Sequence, residues 1–149
     1  NLASRRYGTV LHRGLELLSH HIDLPESCPP DVFNALRFQL RAQTGESARL
    51  DSELQRLVTD INRVLADKIG RWVLSANHRD AHSELTLYIP REDREVIIDR
   101  TFIESETQTR WIIDYKTSRP EDGIEMARFL EEETTKYQRQ PQGYRSALV

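Results

Sequence analysis

The chain has 149 residues, 30% of them charged and 7% aromatic, with a net charge of −3. That length suits one domain with a real core, and the acidic balance argues against a free-standing nucleic-acid binder while leaving room for an enzyme whose acids are offset by a metal ion. A lone cysteine, Cys28, excludes an internal disulfide; with no apolar run of membrane-span length and no signal-peptide pattern, the expected setting is reducing, cytoplasmic and away from membranes.

In chain order, residues 6–21 come first, with Val10, Leu11, Leu15, Leu18 and Ile22 at helical spacing. Pro25, Pro29 and Pro30 break this into a loop, in which Cys28 has no neighbouring base and reads as inert. A second helix is expected from an Asp31 cap through Phe33, Leu36 and Leu40 to Gly45. The third has the clearest stripe: Leu54, Leu57, Val58, Ile61, Val64 and Leu65, with Asp51 as cap and Gly70 as terminator. The period then changes. Residues 84–89 alternate as a strand, residues 90–94 turn, and two more apolar runs follow before a charged segment of helical composition from Ile124. Helices, three strands and a helix predict an α/β fold with a helical N-terminal part.

The two apolar runs carry the chemistry. Val96-Ile97-Ile98-Asp99-Arg100 and Trp111-Ile112-Ile113-Asp114-Tyr115-Lys116-Thr117 each place a carboxylate on a strand whose other residues are made for burial. Ile97, Asp99 and Thr101 share one face of the first run; Ile112, Asp114 and Lys116 share one face of the second. Ser105 to Gln108 reads as a hairpin loop. If Glu104 pairs with Thr109, Asp99 falls opposite Asp114, with Cβ atoms about 4.5–5.5 Å apart. Two carboxylates that close repel unless one is protonated or a cation lies between them, and a hard divalent ion suits the position. For either run alone, a structural ion pair of Asp99 with Arg100, or of Asp114 with Lys116, is the simpler reading; the two in register favour a site.

These residues resemble the RecB-type nuclease domain of the PD-(D/E)XK superfamily, as found at the C-terminal end of UvrD/AddA-like DNA helicases. Gly8-Thr9-Val10-Leu11-His12 resembles the helical GTxxH element; Ile98-Asp99-Arg100 resembles the xxDR strand. Ile113-Asp114-Tyr115-Lys116-Thr117 resembles the DYKT strand, and Tyr137, Gln140 and Tyr144 resemble the YxxQxxxY element. The resemblance implies one nuclease-like domain over residues 1–149, with a mainly helical part (1–70) and a motif-bearing core (83–149). It implies a restriction-endonuclease-like fold, a small mixed or antiparallel sheet flanked by helices. It further implies His12, Asp99, Asp114 and the Tyr115 carbonyl as ligands of Mg²⁺ or Mn²⁺, and Asp99, Asp114, Lys116, Gln140 and Tyr144 as the catalytic set. DNA is the implied partner, with a covalently linked helicase region and a partner subunit.

The expected activity is metal-dependent cleavage of DNA, as an exonuclease within an ATP-dependent helicase–nuclease acting in double-strand-break repair and recombination. The start at Asn1 and the end at Leu148-Val149 fit a piece of a longer chain. No GxxxxGK[ST] loop is present, so ATP is expected to bind elsewhere, and one cysteine cannot hold an iron–sulfur cluster. The alternative is a catalytically silent module for DNA binding or subunit docking. Glu84 reads slightly better as a structural acid than as a ligand. His20, His21, His78 and His82 read as solvent-facing, Trp72 and Trp111 as packing residues, and Arg100 as either a phosphate contact or a buried pair.

Overall fold

The computed structural model describes residues 2–45, 48–119 and 123–126, with the backbone alone for 117–119 and 123–126. Four helices come first: α1 (Leu2–Ser19), α2 (Pro30–Thr44), α3 (Ala48–Ala66) and α4 (Lys68–Leu74). They are followed by β1 (Arg79–Ile89), β2 (Arg94–Glu104), β3 (Thr109–Ile113), β4 (Tyr115–Arg119) and β5 (Gly123–Met126). β1, β2 and β3 form an antiparallel sheet in that order, and β4 pairs with β5 in a second, two-stranded sheet. The described residues form two compact units, one holding the helices to Ala76 together with residues 116–119 and 123–125, the other residues 77–115 and Met126.

In the helical unit the apolar stripes converge. Val10, Leu11, Leu15 and Leu18 of α1, Val32, Leu36 and Leu40 of α2, and Leu57 and Ile61 of α3 are fully buried. The helices meet closely at Gly14, where an added Cβ would stand 3.1 Å from Leu36 Cδ2 and 3.3 Å from Ile61 Cδ1. One carboxylate enters this core: Asp60 accepts a hydrogen bond from the Tyr7 hydroxyl and lies 3.5 Å from Arg63 Nη1. Burial, and then the bond to Asp60, push the Tyr7 phenol well above its usual range. Arg71 fastens the proline loop to α4, donating to the carbonyls of Leu24 and Pro25 at 2.9 Å and of Leu65 at 3.0 Å.

The helix ends differ from expectation in ways local chemistry explains. Pro29 takes the N-cap position of α2 and Pro30 its first turn, where the missing N–H costs nothing. Asp31 sits one residue inside, favourable at the positive end of the helix, and pairs with His21 at 3.0 Å. Asp51 likewise lies in the first turn of α3 rather than capping it. Gly70 terminates nothing. Asp67 starts a separate helix by accepting from the Gly70 N–H at 3.0 Å. Glycine stands at 70 because an added Cβ would collide with the Val64 carbonyl oxygen.

The sheet unit has its own small core of Leu87, Ile98 and Ile112, with Leu85 and Val96 packed against it. The second hairpin has the expected register: Glu104 pairs with Thr109 and Arg100 with Ile113. Two expectations fail here. The run 111–117 is not one strand, because it breaks at Asp114 between β3 and β4. The segment around Ile124 begins as strand β5 rather than helix. Its Gly-Ile-Glu-Met sequence alternates with a period of two.

Candidate active site

The site grows out of the β1–β2 hairpin. A four-residue loop, Pro90 to Asp93, joins Ile89 to Arg94, and the pairs Leu85↔Ile98 and Ser83↔Arg100 keep one register on either side of Glu84, which the ladder itself skips. Glu84 therefore stands across from Asp99. Carboxylate oxygens of the two lie within 4.8 Å of one another. Asp99 is 8% exposed and Glu84 half-buried.

Asp99, Arg100 and Thr101 are consecutive and all buried on the central strand, an unusual density of polar groups. Each engages a specific partner. Asp99 Oδ2 accepts the Tyr115 N–H at 2.8 Å. Arg100 Nη1 donates to Ser83 Oγ at 3.2 Å, and its guanidinium lies 5.7 Å from the centre of the Phe102 ring. Thr101 Oγ1 donates to the Trp111 carbonyl at 2.8 Å. The bond from Asp99 also explains the break at Asp114: a side-chain oxygen occupies the N–H that a further ladder step would use.

The Tyr115 phenol is held far above its usual range by burial, with the charges of Asp99 and Glu84 adding and Arg100 opposing. It stays a neutral hydroxyl. Burial lowers Arg100, which Tyr115 partly offsets; guanidinium nonetheless keeps its charge. At 2% exposure Arg100 has no surface to offer a phosphate, so the phosphate-contact reading of this residue gives way to the buried structural one.

Backbone conformation singles out Glu84. Four described residues other than glycine have a positive φ: Asp80 (46°), Glu84 (51°), Asp93 (48°) and Gln108 (58°). Asp93 and Gln108 end the two hairpin loops, where the left-handed region is normal. Asp80 lies at the register shift between Arg79 and His82. Glu84 lies inside a strand whose register is unbroken on either side. Strain of that kind, about 1–3 kcal/mol, collects at functional positions.

Glu84, which reads from the sequence as slightly more a structural acid than a ligand, is brought to Asp99 by the fold. The signal was available: the loop-length arithmetic that aligned β2 with β3 also aligns Ile89 with Arg94, and carried back it sets Glu84 against Asp99. The register that would carry Asp114 to Asp99 holds through Arg100↔Ile113 and then stops. Asp114 follows β3, half-buried.

The other candidates lie as follows. His12 is half-buried on α1 in the helical unit, and Lys116 is exposed on β4. Tyr115 contributes its N–H to Asp99 and its buried ring to the sheet. Tyr137, Gln140 and Tyr144 lie outside the described residues. His78 is not solvent-facing as expected: its ring stacks on Phe102 with centroids 3.8 Å apart. His82 bonds to Asp80 at 2.8 Å. Trp111 donates to Glu104 at 3.2 Å. The Cys28 thiol is pushed up to about 11 by burial and then by Asp31, in keeping with an inert residue.

Two carboxylates from adjacent strands, close together and mostly withdrawn from water, fit a hard divalent cation with oxygen ligands. The cation would relieve their repulsion and leave coordination positions for water and phosphate. No helix among the described residues is long and apolar enough to cross a membrane. Neither a curated protein nor a solved structure matches the chain. The PD-(D/E)XK nuclease superfamily does, over residues 1–148. An α/β fold with acids opposed on an antiparallel sheet agrees with that match, and the chain belongs to the PD-(D/E)XK nuclease superfamily.

Proposed function

We propose that the protein is a divalent-metal-dependent deoxyribonuclease, working as the exonuclease part of an ATP-dependent, cytoplasmic helicase–nuclease in double-strand-break repair and recombination. The observation that carries the reading is the Glu84–Asp99 pair, within 4.8 Å and opposed across two strands, in a chain of this superfamily. Glu84 and Asp99 would hold Mg²⁺ or Mn²⁺. On the resemblance of their motifs, His12, Asp114 and the Tyr115 carbonyl would join them as ligands. A bound ion of this kind lowers the pKa of its water and offsets charge on the scissile phosphate.

Lys116 would orient the attacking water, take its proton at Nζ when in the neutral amine form, or stabilise the charge of the transition state. Water oxygen bonds to phosphorus as the bond to the leaving sugar oxygen breaks, and a proton returns to that oxygen. Gln140 positions Lys116 or the phosphate, and Tyr144 contacts the DNA backbone. The buried Tyr115 hydroxyl, held neutral, adds no charge beside the acids. A linked helicase region and a partner subunit would deliver the strand.

The test compares the protein with Glu84→Gln, Asp99→Asn and Lys116→Ala variants on linear and circular DNA, with Mg²⁺, Mn²⁺ or EDTA. Metal-dependent cleavage of linear DNA alone is expected, reduced by about a hundredfold or more in each variant. Calorimetric Mn²⁺ binding should fall in Glu84→Gln and Asp99→Asn and persist in Lys116→Ala. Cleavage indifferent to metal, or unchanged by all three substitutions, would refute the reading; no cleavage of either DNA with either metal would favour a silent DNA-binding or docking module.

A further inference from the structure

The face of the sheet that carries Glu84 and Asp99 continues outward. Alternation along β2 puts Glu95, Ile97 and Asp99 on one side. Register sets Thr86 against Ile97 and Tyr88 against Glu95, and directly opposed residues share a face. Two large side chains on this face stand in water: Ile97 is 66% exposed and Tyr88 51%. Val96 and Ile98, which point the other way, are half-buried and buried. The Tyr88 ring is fixed in place, since its hydroxyl donates to Asp93 Oδ1 in the turn at 2.6 Å.

We infer that Tyr88 and Ile97 form a platform for unpaired bases of a single DNA strand whose phosphate lies at Glu84 and Asp99, an inference that rests on the nuclease reading above. The rows are regularly spaced. Each step of two residues along a strand covers about 7 Å, so the Ile97 row and then the Tyr88 row lie one and two such steps from Asp99. That is the scale on which successive nucleotides of an extended strand follow one another.

Charge decides what the platform accepts. Glu95 faces Tyr88, and Asp93 holds its hydroxyl. Carboxylates there repel phosphate and tolerate the neutral ring of a base. A duplex keeps those rings stacked inside and presents base edges in its grooves. Only a single strand or a frayed end can lay a base on Tyr88. Tyr88 and Ile97 are therefore positioning residues that favour unpaired substrate near the point of cleavage.

The test is fluorescence anisotropy of a labelled oligothymidylate and of a labelled blunt duplex, with Mn²⁺ present and Lys116→Ala in every protein compared, so that the acids are neutralised and neither DNA is cut appreciably. Tyr88→Ala should weaken single-strand binding about tenfold while changing duplex binding less than about twofold. Tyr88→Phe keeps the ring and should bind the single strand like the parent protein. Circular dichroism checks that each variant is folded, which the exposed position favours. Unchanged single-strand affinity in Tyr88→Ala, equal losses on both DNAs, or no single-strand binding by the parent protein overturns the inference. Failure of the two readings looks different. Loss of cleavage in Glu84→Gln with intact single-strand affinity in Tyr88→Ala removes the platform and keeps the nuclease. Absence of cleavage with selective weakening in Tyr88→Ala removes the nuclease and keeps the platform.

Discussion

The helical unit and the sheet unit bury different things. In the helices the interior is mostly leucine, valine and isoleucine, and Asp60, the one buried carboxylate among their described residues, is met by Tyr7 and Arg63 from the same unit. On the central strand of the sheet three consecutive polar residues, Asp99, Arg100 and Thr101, are buried. Beside them Glu84 has a positive φ of 51° inside a strand, away from any hairpin loop. Burial without strain fits a region selected for stability; buried charge beside a strained acid fits the proposed site, which would give up stability for chemistry.

The largest test of that contrast is a cavity. Leu57→Ala removes a fully buried side chain of α3 and should cost about 2–5 kcal/mol in denaturant unfolding. DNA cleavage per folded molecule should remain at the parent level, and a matching loss of specific activity would break the division of labour. Glu84→Gly sharpens it from the other side. Glycine relieves the positive φ of 51°, so the melting temperature should rise, by up to about 1 kcal/mol of stability, while Mn²⁺ affinity falls. A drop in melting temperature would mean that Glu84 is a structural acid after all.

The smallest effect is electrostatic, at the far end of β1. Asp80 is held below the usual carboxylate range by its hydrogen bond to Arg110, against some desolvation, with His82 helping. A depressed folded-state value means stability present above the unfolded value of about 4 and lost as pH falls through the folded one. The carboxylate side chain is 46% exposed, so solvent screening limits the contribution to about 1 kcal/mol or less. In urea melts, Asp80→Asn should be slightly less stable than the parent at neutral pH, and the gap should close below about pH 4. A constant gap would assign the loss to packing instead.

Much of this was legible in the sequence, for physical reasons. Helix stripes such as Leu54, Leu57, Ile61 and Val64 repeat at 3.6 residues because one face must be buried. The pairing of Glu104 with Thr109 followed from loop length. What escaped notice was non-local or atypical. Gly70 looks like a terminator, yet stands where the Val64 carbonyl leaves no room for a Cβ. Nothing local announces that the N–H of Tyr115 is claimed by a side chain 16 residues earlier. Glu84 was legible as the start of a strand, but its closeness to Asp99 is a cross-strand relation that the alternation of residues 84–89 does not carry.

The hydrogen bond from Tyr115 to Asp99 has an evolutionary consequence. One carboxylate serves as an architectural stop, releasing the chain from the first sheet so that it can enter the second, and as half of the acid pair. Drift at this position is thereby coupled: most replacements disturb the branching of the chain along with the proposed metal chemistry. Asparagine is the exception, since its amide oxygen can still accept the Tyr115 N–H. A lineage that abandons cutting but keeps the fold has Asp99→Asn as its easiest exit, and an asparagine at this position in a relative would be the mark of a retired enzyme.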